Sequence, residues 1–196
     1  MDYLIYSLSA LRTDEIDISI ISDEERAIAA RRGKRYAIIR ALLRHEISRR
    51  HNGTTPADIC FTYGAHGKPE CELQHFNLSH SGDCLCFAFH HKSVGVDVER
   101  IRQRNFASLA DRFMAAEQLD FFRKCGCPQT DFFACWCAAE ALVKHAGDTM
   151  WNARSYPFLY QNGSIVCQFE HAPCVQLFTP MPGYCGAIAY SVPDPL

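Results

Sequence analysis

The chain has 196 residues, 48% of them hydrophobic and 21% charged, with a formal net charge of −2. That is enough for one large domain or two small ones around a real core, and the balance excludes a disordered chain. No apolar run approaches the ~18 residues of a membrane span, and Asp2 stands where a secretory signal carries its basic region, so no membrane association and a cytoplasmic location are expected.

Eleven cysteines in such a chain point to reduced thiols packed as small apolar residues rather than to disulfides. CxC pairs occur at Cys84 and Cys86, Cys125 and Cys127, and Cys135 and Cys137. None has the spacing, or the second ligand pair, of a structural zinc site.

Alternation predicts a strand over Met1 to Ser7. Ser22 followed by Glu25 reads as a capping box, and Tyr36, Ile39, Leu43 and Ile47 mark the apolar stripe of a long helix from Asp23 to Arg50. Gly33 is a candidate interruption, and His51-Asn52-Gly53 ends the helix. Residues 26–50 hold Arg26, Arg31, Arg32, Lys34, Arg35, Arg40, Arg44, Arg49 and Arg50 against Glu46 alone, a local balance of +8 that leaves −10 for the rest. So concentrated a charge points to an anionic partner: phosphates, an acidic protein or nucleic acid. The aromatic platforms and motifs that would favour nucleic acid are missing, so no nucleic-acid partner is expected.

A strand at Ile59 to Tyr63 is followed by the turn Gly64-Ala65-His66-Gly67-Lys68-Pro69. Phe76-Asn77-Leu78-Ser79-His80-Ser81-Gly82-Asp83 then sets hydroxyls and an imidazole at a strand end, which suits a phosphate as well as an ordinary turn. Leu85 to His90 and Val94 to Val98 alternate as an antiparallel hairpin turning at His91-Lys92-Ser93. Helices are predicted at Phe106 to Met114, at Ala115 to Lys124 and, with Thr130 as N-cap and Gly147 just beyond, at Asp131 to Ala146. On the last, Trp136, Glu140 and Lys144 fall along one stripe. An antiparallel set closes the chain: Pro157 to Tyr160, Ile165 to His171, Val175 to Phe178 and Gly186 to Val192. The order of elements predicts an α+β fold in two α+β halves, residues 1–94 and 95–196.

The most informative stretch is Gly95-Val96-Asp97-Val98-Glu99. Residues i and i+2 of a strand share a face, so Asp97 and Glu99 point the same way. A D-x-E pair of this kind also fits the solvated end of a half-buried strand. Its neighbours decide between the two readings.

GVDVE, preceded by GKP and FNLSHS and followed by a W-x-x-x-E-A-x-x-K-x-x-G helix, resembles the surfactin-synthetase-type 4'-phosphopantetheinyl transferases over Arg31 to Gly147. The resemblance implies a monomer of two similar halves related by a pseudo-two-fold, each a small antiparallel sheet on a long helix. It implies Mg²⁺ held by Asp97, Glu99 and Glu140, a choice consistent with the oxygen ligands that this ion prefers. It further implies coenzyme A bound by Arg35, Arg44, Lys68, Pro69, Ser79, His80 and Lys144, with Glu140, Lys144 and His80 as the catalytic set. The implied reaction passes the phosphopantetheine arm to a serine of an acidic acyl or peptidyl carrier protein and releases 3',5'-ADP. Glu140 or a metal-bound water would accept the serine proton.

One departure stands out. The family helix reads W-[ST]-x-K-E, whereas this chain has Trp136-Cys137-Ala138-Ala139-Glu140, with Ala139 in place of the phosphate-contacting lysine. A charge-assisted contact of that kind is worth ~1.5–3 kcal/mol. Unless another cation replaces it, an alternative stays open beside the transferase reading, a catalytically weak relative that binds coenzyme A or carrier protein, and a lysine restored at Ala139 is expected to tighten coenzyme A binding.

Overall fold

The computed structural model describes residues 1–103, 106–114, 116–124 and 128–192. In chain order the elements are β1 (Asp2–Ser7), α1 (Asp23–Arg32), α2 (Lys34–Ser48), β2 (Thr62–Tyr63), β3 (Pro69–Glu70), β4 (His75–Ser81), β5 (Cys84–His90), β6 (Val94–Arg100), α3 (Ala107–Phe113), α4 (Ala116–Lys124), α5 (Gln129–Ala146), β7 (Phe158–Gln161), β8 (Ser164–Cys167), β9 (Cys174–Phe178) and β10 (Tyr184–Tyr190). The fold is α+β, with antiparallel sheets ordered β1-β5-β4 and β6-β10-β9 and two short hairpins, β2-β3 and β7-β8. No helix among the described residues is long and apolar enough to cross a membrane.

The predicted long basic helix is two helices. Gly33, at φ 88°, ψ 170°, breaks it, in a region that costs a side chain dearly. The Ser22 and Glu25 capping box closes the N-terminus of α1 as expected. Ile39, Leu43 and Ile47 of α2 bury themselves against Phe76, Leu85, Phe87 and Phe89 of the first sheet. The second core gathers Phe132, Cys137, Ala138, Ala141 and Leu142 of α5 against Ala187 and Ala189 of β10. Each sheet thus hides one apolar face under a long helix, and the other faces meet in a third cluster of Cys84, Cys86 and Ala88 of β5 with Val94, Val96 and Val98 of β6 and Ile188 of β10.

Three readings of the elements need correction. β5 and β6 do not pair as a hairpin: β5 lies between β1 and β4, whereas β6 pairs with β10. The turn at His91-Lys92-Ser93 is a crossing between sheets, and the hairpin partner of β5 is β4. The closing strands split, with β7 and β8 forming their own hairpin over Asn162 and Gly163, both at positive φ. Finally, α5 begins at Gln129 with Pro128, not Thr130, at the N-cap, while Gly147 ends it in the left-handed conformation. Of the thiols, Cys84, Cys86, Cys135 and Cys137 are buried, but Cys60 and Cys174 are exposed; Cys125, Gly126 and Cys127 lie outside the described residues.

The two sheets meet along the edge strands β4 and β6. No backbone ladder joins them; side chains of β4 do so instead. Asn77 Oδ1 accepts from Val96 N–H (2.9 Å), Ser79 Oγ from Val98 N–H (3.3 Å) and Ser81 Oγ from Arg100 N–H (3.2 Å). The two-residue step on both strands is that of neighbours running in the same direction. This seam satisfies edge donors that would otherwise be buried unpaired.

Gly95 explains the first letter of GVDVE. A Cβ there would fall inside the contact distance of Ala141 O and His145 N, so the α5 backbone lies directly on β6. Gly95→Ala is expected to lower stability by about 1–3 kcal/mol or more, because neither rigid backbone can yield. A urea titration reads this directly.

Candidate active site

The seam and the close approach of α5 bring the acids together. On β6, Asp97 is 4% exposed. Its Oδ1 accepts from Ser79 Oγ (2.8 Å) and from Lys144 Nζ (2.7 Å), while Oδ2 is buried with no partner among the described residues. One turn back on α5, Glu140 Oε2 lies 3.6 Å from Lys144 Nζ. Glu99, on the same strand face as Asp97, accepts from Ser81 Oγ (2.6 Å).

The electrostatics follow from crowding three acids around one ammonium. Burial, with repulsion from Asp97 and Glu99, pushes the Glu140 pKa above the usual carboxylate value. Glu99 is raised too, chiefly by burial. Burial works against the Lys144 charge, yet Asp97 and Glu140 together hold its pKa above that of an ordinary lysine. Surplus negative charge and an orphaned carboxylate oxygen are what a hard divalent cation would relieve. As they stand, no three His, Cys, Asp or Glu side chains among the described residues are close enough to chelate an ion, and Lys144 supplies the counter-charge.

Beside the acids opens a cavity of about 630 Å³, within the usual range for small-molecule sites. Its walls are the turns around Gly33 (Arg32, Arg35, Tyr36, Arg40), the GKP loop (His66, Lys68, Pro69) and β4 (Leu78, His80), with Lys144 at the acid end. Arg40 is 7% exposed, stacks on Tyr36 and leaves Nη1 without a partner among the described residues. Lys68 Nζ donates to the last-turn carbonyl of Lys144 (2.7 Å) and to Val94 O (3.3 Å), and burial lowers its pKa. Partial desolvation of the His80 ring, reinforced by the Arg35 and Lys144 charges, keeps its pKa below the usual imidazole value. The cavity is therefore cationic, part apolar, and open to a phosphate-bearing ligand.

Not every expected residue reaches it. Arg44, expected at a phosphate, is 3% exposed and turned inward, with its guanidinium on Glu25 Oε2 (2.5 Å) and on Ile59 O. A buried Glu needs that partner more than a surface anion does. Ser79 is also absent from the cavity wall, because its hydroxyl is committed to Asp97 and to Val98 N–H. Ala139 is 1% exposed inside the α5 core, so a lysine there must thread an apolar cluster before it can reach a phosphate. The expectation that such a lysine simply tightens binding is revised to a loss of stability from overpacking.

Arg32, Tyr36 and Arg40 are cavity residues not expected from the sequence; the i, i+4 spacing of Tyr36 and Arg40 on α2 was the available signal, whereas Arg32 ends α1 before the Gly33 break. It also overstated the patch. Asp23 pairs with Arg26, Glu25 with Arg40 and Arg44, and Glu46 with Arg49 and Arg50, leaving Arg31, Arg32, Lys34 and Arg35 around Gly33 without an acid partner among the described residues.

Comparison with known proteins agrees with this arrangement. The model of the 4'-phosphopantetheinyl transferase superfamily matches residues 93–178, the span from the start of β6 through β9. The 4'-phosphopantetheinyl transferase Sfp of Bacillus subtilis (strain 168) is 30% identical over 166 residues, 78% of this chain and 72% of that protein. The 4'-phosphopantetheinyl transferase AcpT of Escherichia coli (strain K12) is 34% identical over 168 residues, 81% of each chain. The B. subtilis relative ffp is 29% identical over 98% of this chain and 91% of its own length. The chain belongs to the 4'-phosphopantetheinyl transferase superfamily and, within it, to the Sfp type.

The raised carboxyls predict a pH-dependent response to metal. Glu99 and Glu140 hold protons in the fold above their ordinary value of 4.5. As the pH climbs past that value, ionising them in the fold costs stability. A divalent cation offsets this cost, and it binds only the ionised form. Added Mg²⁺ is therefore expected to raise Tm more at pH 8 than at pH 5, measured by scanning calorimetry; an equal rise at both values would exclude these acids as the ligands.

Proposed function

We propose that the protein transfers the 4'-phosphopantetheine arm of coenzyme A to a serine of an apo acyl or peptidyl carrier protein and releases 3',5'-ADP. The observation that carries this reading is the convergence of Asp97, Glu140 and Ser79 on the Lys144 ammonium beside the cationic cavity. The names of the Sfp and AcpT relatives describe the same transfer.

Each group then has a task. Arg32, Arg35, Arg40, Lys68 and Pro69 take the nucleotide end of coenzyme A, including its 3'-phosphate, which replaces the role expected of Arg44. The supply of four cations around one cavity also offsets the absent lysine at Ala139. Asp97, Glu99 and Glu140 would hold Mg²⁺, which when bound neutralises pyrophosphate oxygens that the protein alone leaves charged. Lys144 and His80 place donors where negative charge grows as the serine oxygen bonds to the β-phosphorus and the bond to 3',5'-ADP breaks. Glu140 accepts the serine proton, a role supported by a pKa that burial moves toward neutrality.

The halves 1–94 and 95–196 repeat one plan. Strand, helix, short hairpin and two strands follow in that order in each, with the last strand in the centre of the sheet, which supports a pseudo-two-fold. We assign Arg31 and Lys34, which lie outside the cavity wall, to meeting the acidic carrier protein, and the protein to acting as a monomer in the cytoplasm.

Incubation with coenzyme A, Mg²⁺ and several apo carrier proteins is expected to add the phosphopantetheine mass to at least one of them. No addition to any carrier, with coenzyme A still bound, would leave only a binding protein. Asp97→Ala is expected to reduce the rate by about 10²-fold or more. Glu140→Gln should lower kcat by about 10² to 10⁴-fold while Mg²⁺ affinity is followed separately by calorimetry; unchanged turnover would remove its role as base.

A further inference from the structure

Behind the acids lies a pair of thiols that the transfer reaction does not use. The β6 to β10 ladder sets Cys185 opposite Glu99 and Ala187 opposite Asp97. Opposed residues of an antiparallel pair share a face, so the Cys185 side chain projects on the side of the two acids. That side is covered by α5, where Cys137 stands one helical turn before Glu140. Cys137 is fully buried, and its Sγ lies 3.6 Å from the Cys185 carbonyl oxygen. Both side chains belong to one packed cluster between α5 and β10. Cys185 is only partly buried, and neither sulfur is in a disulfide.

We propose that Cys137 and Cys185 are a redox-active pair, a modification site at which a disulfide between α5 and β10 pulls Glu140 out of register with Asp97 and Glu99 and stops transfer. Its effect on activity rests on the transferase reading; formation of the bridge does not. The oxidant is a low-molecular-weight disulfide. The sulfur of Cys185, the less buried member, attacks one sulfur of the oxidant and releases one thiol. The sulfur of Cys137 then attacks the mixed disulfide on Cys185 and releases the second. Two electrons and both thiol protons end on the two released thiols.

The geometric consequence follows from bond length. To bridge, the two sulfurs must close to ~2.05 Å, and the bridge accepts only a narrow range of Cα separations. The turn of α5 that carries Cys137 also carries Glu140, so it is drawn toward β10. Site geometry must be kept within ~0.5 Å, and a misplacement of about 1 Å can cost 10²-fold in rate.

Incubation of the full chain with glutathione disulfide, followed by alkylation and peptide mass mapping, should yield a Cys137 to Cys185 crosslink. Transfer should fall at least 10-fold, the Mg²⁺-induced rise in Tm should shrink, and dithiothreitol should restore both. Cys185→Ser and Cys185→Ala should keep basal activity and resist the oxidant. The proposal is overturned if the crosslinks join other cysteines, if the bridge forms with the Mg²⁺ response intact, or if both variants are inactivated like the parent. Should no carrier protein be modified by the reduced enzyme, the crosslink and the Mg²⁺ response still decide the matter.

Discussion

The structure depends on the seam between β4 and β6. Asn77, Ser79 and Ser81 project from one edge strand and accept from three consecutive outward N–H groups of the other. Two sheets that share no ladder are thereby held in one register. The same hydroxyls continue into the site, since Ser79 also donates to Asp97 and Ser81 to Glu99. Joining the sheets and aiming the acids are one hydrogen-bond system, and losing a member would leave buried donors without water or partner.

Charge is the second theme. Residues 26–50 look almost uniformly basic, but the buried acids Glu25 and Glu46 claim four of their nine cations. Glu25 caps Ser22 N–H and holds Arg44, while Glu46 accepts from Tyr6 and engages Arg49 and Arg50. These contacts spend cations on pinning the helix to the core. What stays available is concentrated at the Gly33 break, where Arg32 and Arg35 line the cavity. The acid cluster is the mirror image: three carboxyls with one lysine, poised for further positive charge.

How much of this was legible depended on the range of the interaction involved. Capping of α1 by Ser22 and Glu25, the break at Gly33 and the stop at Gly147 were readable because each is decided within a few residues. Pairing was harder. Leu85 to His90 and Val94 to Val98 looked like a hairpin, since alternation states which face a residue takes and not which strand lies beside it. Ser79 and Arg44 were misplaced for a related reason: a hydroxyl or guanidinium suits a phosphate and a buried acid equally well. The contact partners Asp97 and Glu25 lie 18 and 19 residues away along the chain.

By itself, the sequence determined the capped start of α1, the glycine stop of α5, the shared facing of Asp97 and Glu99, the Glu140 and Lys144 stripe, and the family to which these motifs belong. Those features rest on local periodicity and on residue chemistry, which the order of amino acids states outright. Tertiary structure alone decided which cations face the cavity, which are consumed by Glu25 and Glu46, that β6 leaves β5 for β10, and that Cys137 meets Cys185 beneath the acids. Each of those outcomes turns on contacts between distant segments, where packing and burial choose among partners that are chemically alike.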